Sequence, residues 1–115
     1  MPAMMPGELR PISVELMRYI NAHFDENINL SAIAEQFFLS ISSIRHIFKE
    51  DFGLSIKQYI LQKRIAAARQ ALCAGENPKE ISTRCGFSDY STFYRAYRKY
   101  YGSAPSQTKK GSADS

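Results

Sequence analysis

The same arrangement of apolar, capping and stop residues occurs twice in this chain, about 48 residues apart, and few folds accommodate such a repeat. The first copy runs from Leu30 to Gly53 (LSAIAEQFFLSISSIRHIFKEDFG) and the second from Pro78 to Gly102 (PKEISTRCGFSDYSTFYRAYRKYYG). Ile33, Ser40, Ile44, Phe48 and Gly53 answer to Ile81, Ser88, Phe93, Tyr97 and Gly102. Each copy reads as two helices joined by a turn, and a pair of short helices cannot bury its own apolar face. The copies therefore need the helix before them and the helix between them.

Those helices are visible as periodicity. Ile12, Leu16, Ile20 and Phe24 recur every fourth residue and predict a first helix from Pro11 to Glu26. Asn29 is placed to cap a second helix, Leu30 to Phe37, and Ser40 a third, with Ile44, Ile47, Phe48 and Phe52 inward and Gly53 as its stop. Ser55 and Gln58 have capping-box spacing and open a long helix from Ile56 to Ala74, with Ile56, Ile60, Ile65, Ala68 and Leu72 on its apolar stripe. Asn77-Pro78-Lys79-Glu80 is a strong start for a fifth helix that ends near Cys85-Gly86. The sixth begins after Ser88 or Asp89 and reaches Tyr101, with Phe93, Tyr97 and Tyr100 inward. A short turn of helix follows Ala104-Pro105, and strand-like alternation is absent from the sequence. The reading is an all-α, homeodomain-like chain of about seven helices, two helix-turn-helix subdomains on one linker helix. Its expected divisions are a disordered lead or linker at 1–10, a subdomain at 11–53, the linker helix at 54–75, a subdomain at 76–108 and a disordered tail at 109–115.

A length of 115 residues and 44% apolar content suit one domain, or two small lobes sharing a helix. Cys73 and Cys85 have no metal-ligand spacing and fall at apolar helix positions, so they read as reduced core residues of a cytoplasmic protein. No apolar run approaches the ~20 residues of a membrane span. No cofactor motif stands out.

The formal charge of +4 is modest, and its distribution says more. The first third is acidic in balance, with Arg10 and Arg18 against Glu8, Glu15, Asp25, Glu26 and Glu35. From Leu39 to Leu72, Arg45, Lys49, Lys57, Lys63, Arg64 and Arg69 face only Glu50 and Asp51. From Phe87 to Lys110, Arg95, Arg98, Lys99, Lys109 and Lys110 face Asp89. Positive charge thus sits on the second helix of each copy and on the helix between. That is the element a helix-turn-helix lays in the major groove of DNA, with the residues near its N-terminus on base edges. In the first copy the outward residues are Ser42, Arg45, His46 and Lys49. In the second they are Tyr90, Ser91, Tyr94, Arg95 and Arg98. Arg45 and Arg95 suit a bidentate contact to guanine or a phosphate, His46 a base edge, and the tyrosines a thymine methyl or a phosphate. Lys57, Lys63 and Arg69 read as diffuse attraction or solubility. A linker of about 19 residues is ~28 Å long, against ~34–36 Å between successive major-groove faces. One chain is then able to set both heads in consecutive grooves.

These residues resemble the DNA-binding domain of the AraC/XylS family of bacterial transcription regulators over about Pro11 to Lys109. The likeness is carried by Leu30-Ser-Ala-Ile-Ala34, Ser40 with Ile44-Arg-His-Ile-Phe-Lys49 and Gly53, Tyr59, Arg64-Ile65, Ala68 and Leu72. It continues in Ile81, Gly86-Phe87-Ser-Asp89, Phe93-Tyr-Arg95, Tyr97 and Gly102-Ser-Ala-Pro-Ser106. The resemblance implies two helix-turn-helix subdomains on a long helix, binding of double-stranded promoter DNA, and activation through RNA polymerase. It implies base contacts from Ser42, Arg45, His46, Tyr90, Ser91, Tyr94 and Arg95, and backbone contacts from Ser40, Lys49, Thr92 and Arg98. Arg64 falls on the family's early linker arginine, a backbone contact or a structural tie. The domain is expected to be monomeric, as a fragment of a longer protein that has a sensor and dimerisation domain, with no cofactor and no membrane.

Three positions depart from the family pattern. Phe38 stands where Gly or Asn is common, which strains it if φ is positive there. Tyr97 replaces the usual Phe, so its hydroxyl needs a partner. Thr108-Lys109 replaces an aromatic followed by Arg, which predicts a weaker last helix. Ile41, Ser42 and Ser43 give the first reading helix few long polar side chains, so it is expected to specify less than the second. The alternatives are a helical protein-interaction module without DNA binding and a small enzyme, for which no nucleophile–base pair or phosphate loop stands out.

Overall fold

The computed structural model describes residues 9–108. The regular elements among them are all helical: α1 (Pro11–His23), α2 (Ser31–Gln36), α3 (Ile41–Phe52), α4 (Ile56–Cys73), α5 (Pro78–Arg84), α6 (Tyr90–Tyr101) and a closing 3₁₀ turn at Pro105–Gln107. This is the all-α, two-fold helix-turn-helix architecture read from the sequence. Residues 1–8 and 109–115, which hold most of the expected lead, the tail, Lys109 and Lys110, lie outside the described residues.

The chain forms two compact units. The first comprises the described residues up to His23 together with Ile28–Ile60. In it α1 and α2 pack on α3. Its core is Ile12, Leu16 and Ile20 of α1, Leu30, Ile33 and Ala34 around α2, Ile44 and Phe48 of α3, and Ile56 at the start of α4. The second comprises Phe24–Asn27 and the described residues from Leu61 onward. Its core joins Ile65, Ala68 and Leu72 of α4 to Ile81, Cys85, Phe87, Phe93 and Tyr97. Each of these Ile, Leu and Phe side chains, taken out of water, contributes about 1.5–3 kcal/mol before the entropy of ordering it is counted. Helix α4 is continuous, with Ile56–Ile60 in the first unit and the remainder in the second.

Helix ends follow the local chemistry. Ser55 and Gln58 form the reciprocal box at the start of α4: the Gln58 amide donates to Ser55 Oγ at 3.0 Å, and the Ser55 amide to Gln58 Oε1 at 2.9 Å. Asn77 Oδ1 accepts from the Lys79 amide at 2.9 Å, with Pro78 as the first residue of α5. Asn29, expected to cap α2, stands one residue too early: its Oδ1 accepts from the Ser31 amide at 2.9 Å, but the N-cap is Leu30, which has no side-chain cap bond.

Three expectations need correction. Helix α1 stops at His23, short of Glu26. The Phe24 and Glu26 carbonyls accept from Arg64, which holds the chain after His23 as a turn, so half-buried Phe24 leaves the α1 stripe and joins the second unit. In α6 it is Tyr101 that packs inward, its ring 4.8 Å from that of Tyr97, whereas Tyr100 is 43% exposed. Four residues on from Tyr97 returns to the same helix face, and three falls on its flank. The cap of α6 is Asp89, so Asp89 rather than Ser88 is the counterpart of Ser40.

Candidate nucleic-acid interface

With the caps aligned, the two second helices become equivalent in detail. Both α3 and α6 have 12 residues. Ser40 Oγ accepts from the Ser43 amide at 3.1 Å, and Asp89 Oδ1 from the Thr92 amide at 2.7 Å. Gly53 at φ 80° and Gly102 at φ 75° close them, each amide returning 2.8 Å to a carbonyl four residues back, Lys49 and Arg98. Ile44 and Phe48 hold α3 in the first core, as Phe93 and Tyr97 hold α6 in the second.

That common rotation fixes the opposite face. Ser42 and Ser91 are the second residues of their helices, Arg45 and Tyr94 the fifth, His46 and Arg95 the sixth, Lys49 and Arg98 the ninth. Ser42, Arg45, His46 and Lys49 are all exposed, and so are Ser91, Arg95 and Arg98. Each unit therefore presents, at the same helical positions, a serine near the N-terminus and cationic or imidazole side chains along one face. Tyr90 and Tyr94 are half-buried. The Tyr90 ring lies 5.8 Å from that of Phe93 and 6.2 Å from that of Tyr94, so Tyr90 lines the edge of the core and Tyr94 stands beside it. Thr92 is half-buried with its amide already given to Asp89. The Ser40 hydroxyl is committed to capping, and also donates to Ser43 Oγ at 3.0 Å.

The acid at the head of α6 stays ionised readily. The Thr92 amide and hydroxyl donating to Asp89, with Arg95 nearby, hold its carboxyl below the usual carboxylate range. A carboxylate there also suits the positive end of the helix dipole.

Arg64 performs the second of its two expected roles. Its Nε–H donates to the Phe24 carbonyl at 2.6 Å and a terminal nitrogen to the Glu26 carbonyl at 2.9 Å, tying α4 to the turn after α1 within the second unit. Gly86 makes room for it. A Cβ there would stand 2.8 Å from Arg64 Nε and 3.0 Å from the Asp25 carbonyl oxygen, and φ is +97°. Lys63 Nζ lies 5.9 Å from the centre of the Phe24 ring and the Arg69 guanidinium 4.5 Å from that of Tyr101, so part of the linker's charge covers aromatic surface. Lys57 is exposed.

The three departures resolve individually. Phe38 has φ 56°, the one non-glycine with positive φ among the described residues, and its side chain is 95% exposed. The Tyr97 hydroxyl finds its partner in Thr108 Oγ1. The final helix amounts to the single turn Pro105–Gln107. Cys73 and Cys85 are free and buried, and burial pushes the Cys85 thiol up, away from thiolate chemistry.

One group has no local signal in the sequence. Arg10, ahead of α1, reaches Glu50 and Asp51 at the far end of α3. A pairing across some 40 residues leaves no trace in spacing or capping pattern.

A family model for a helix-turn-helix domain matches residues 33–111. The Msm operon regulatory protein of Streptococcus mutans is 36% identical over 100 residues, which are 84% of this chain and 35% of that protein. The HTH-type transcriptional activator RhaS of Escherichia coli (strain SE11) is 32% identical over 97 residues, again 84% of this chain and 35% of the relative. The chain thus spans about a third of the length of the curated relatives it matches. Among solved structures, a probable AraC family transcriptional regulator from Rhodopseudomonas palustris has the same fold. Its TM-score is 0.76 at 25% identity, over 86% of this chain and 94% of that one. On the match across most of its length and the shared two-unit fold, the chain belongs to the AraC/XylS family of helix-turn-helix DNA-binding domains.

Proposed function

We propose that this chain binds double-stranded promoter DNA as the reading part of a transcription regulator, with α3 and α6 in consecutive major grooves. The observation that carries this is the equivalence of the two helices: same length, a side-chain cap on the amide three residues on, a glycine stop, and exposed polar or basic residues at the second, sixth and ninth positions. Ser42, Arg45 and His46 of α3, and Tyr90, Ser91, Tyr94 and Arg95 of α6, face base edges in this reading. Lys49 and Arg98, one turn further on, meet phosphates. Ser40 and Thr92, at the helix starts, are the remaining backbone contacts of this reading. Arg64, which holds the turn after α1, is the further backbone contact of this reading. The role is regulatory rather than catalytic. We read the role as activation, in keeping with the activator among the relatives, and propose RNA polymerase as the protein partner. A promoter-binding role places the domain in the cytoplasm, as a DNA-bound monomer. Among the described residues no helix is long and apolar enough to cross a membrane.

The test is titration against duplex DNA at several salt concentrations. Phosphate neutralisation releases counterions, so affinity is expected to fall steeply and log-linearly with salt. Arg95→Ala is expected to cost about 1–3 kcal/mol on a selected site and to relax preference at one position. An equal loss on selected and random duplexes would reduce Arg95 to a phosphate contact. A protein-interaction module without DNA binding would show neither effect.

A further inference from the structure

Helix α3 ends in two adjacent carboxylates, Glu50 and Asp51, the wrong charge for an element that approaches a polyanion. The first unit deals with them differently. The Asp51 side chain has no exposed surface. Its Oδ1 accepts from Arg10 Nε at 3.1 Å and from a terminal nitrogen of Arg10 at 2.8 Å. Its Oδ2 accepts from the Ser13 hydroxyl and, at 3.4 Å, from the Arg10 amide. Burial pushes this carboxyl up, but the hydrogen bonds from Ser13 and Arg10, with the Arg10 charge, outweigh burial and hold it below the usual range.

Glu50 sits at the surface, its side chain 50% exposed. One of its oxygens meets the same Arg10 guanidinium, and the other stands 3.6 Å from His46 Nε2, one helical turn back. Glu50 is thus shared between Arg10 and a residue of the reading face. Its carboxyl is drawn below the usual range by the Arg10 hydrogen bond first, then by the Arg10 charge.

We propose that Arg10 is a positioning residue for the first reading helix: it cancels and holds Glu50 beside His46, so that α3 meets DNA without an uncompensated negative charge at its edge. This rests on the DNA-binding reading above. Arg10 acts through two separable partners. Asp51 is buried and fastens the start of α1 to the end of α3, a matter of stability. Glu50 is exposed beside the proposed interface, a matter of field. Because Arg10 immediately precedes α1, the chain leading into this unit touches the reading helix at this point.

The separation defines the experiment, a double-mutant cycle of Arg10→Ala and Glu50→Gln in the whole chain, read as affinity for random-sequence duplex DNA and as melting temperature. Glutamine keeps the hydrogen-bond acceptor and removes the charge. Arg10→Ala is expected to weaken binding about three- to ten-fold at low salt, less at 0.15 M where the Debye length is ~8 Å. With Glu50→Gln in the background, most of that loss disappears, while the drop in melting temperature persists because Asp51 has still lost its partner. Glu50→Gln alone binds as tightly as the parent or more tightly. An affinity loss of the same size in both backgrounds, or no loss at all, overturns the proposal. If Arg10→Ala is too unstable to titrate, the cycle with Arg10→Lys, which keeps charge but not the fork, must show a smaller loss that Glu50→Gln again removes. A parent chain that binds no duplex DNA overturns the function reading, whereas a binding parent with a flat cycle overturns this inference alone.

Discussion

Phe38 sets the residue scale. At φ 56° a side chain with a Cβ is strained, by about 1–2 kcal/mol, and this one recovers nothing through packing because it is 95% exposed. Phe38→Gly is therefore expected to raise stability by about 0.5–1 kcal/mol, net of the greater freedom glycine has in the unfolded chain, as read by denaturant unfolding. A loss of stability would mean that the ring has a partner within the fold. Asp51 gives a second test with a defined sign. Its folded pKa lies below the unfolded value of about 4, so its contribution is present above that pH and is lost as pH falls through the lower folded value. The stability gap between the parent and Asp51→Asn is expected to be full at neutral pH and to narrow below about pH 4. A gap unchanged down to pH 2 would show that the ionised carboxylate contributes nothing.

At the scale of the element, what the sequence revealed was what is decided within four or five residues. The Ser55–Gln58 box, the Asn77-Pro78 start and the glycine stops of α3 and α6 all form as their residues dictate. The outward faces of α3 and α6 were legible for the same reason: once Ile44 and Phe48, or Phe93 and Tyr97, point inward, the helical period places Arg45, His46 and Arg95 outward. Contacts between distant segments were not legible. The end of α1 is set by Arg64, 38 to 40 residues away, and the Arg10 cluster by residues 38 to 41 away. Tyr100 and Tyr101 are neighbours of like chemistry, and only the register of α6 on its core decides between them. Gly86 tests the Arg64 tie directly. An added Cβ meets a guanidinium on one side and backbone on the other, so Gly86→Ala is expected to destabilise the second unit by about 2–4 kcal/mol. A loss below about 0.5 kcal/mol would show that Arg64 and its turn move aside freely.

At the scale of the whole molecule, the proposal is that one chain carries two reading helices of like construction and that both engage DNA. Their chemistry is unequal. α6 offers Tyr94 and Arg95 where α3 offers Arg45 and His46, and α3 carries Glu50 and Asp51 at its end where α6 carries Lys99 and Tyr100. The more basic helix is expected to supply more of the affinity and the sharper base preference. The most direct measurement is a hydroxyl-radical footprint of the chain, at a concentration where it is monomeric, on a duplex selected from a random pool. The account predicts two protected patches about 10–10.5 base pairs apart on one face of the duplex, from one bound chain. Protection of one groove alone, or two patches that appear only when two chains are bound, would contradict it.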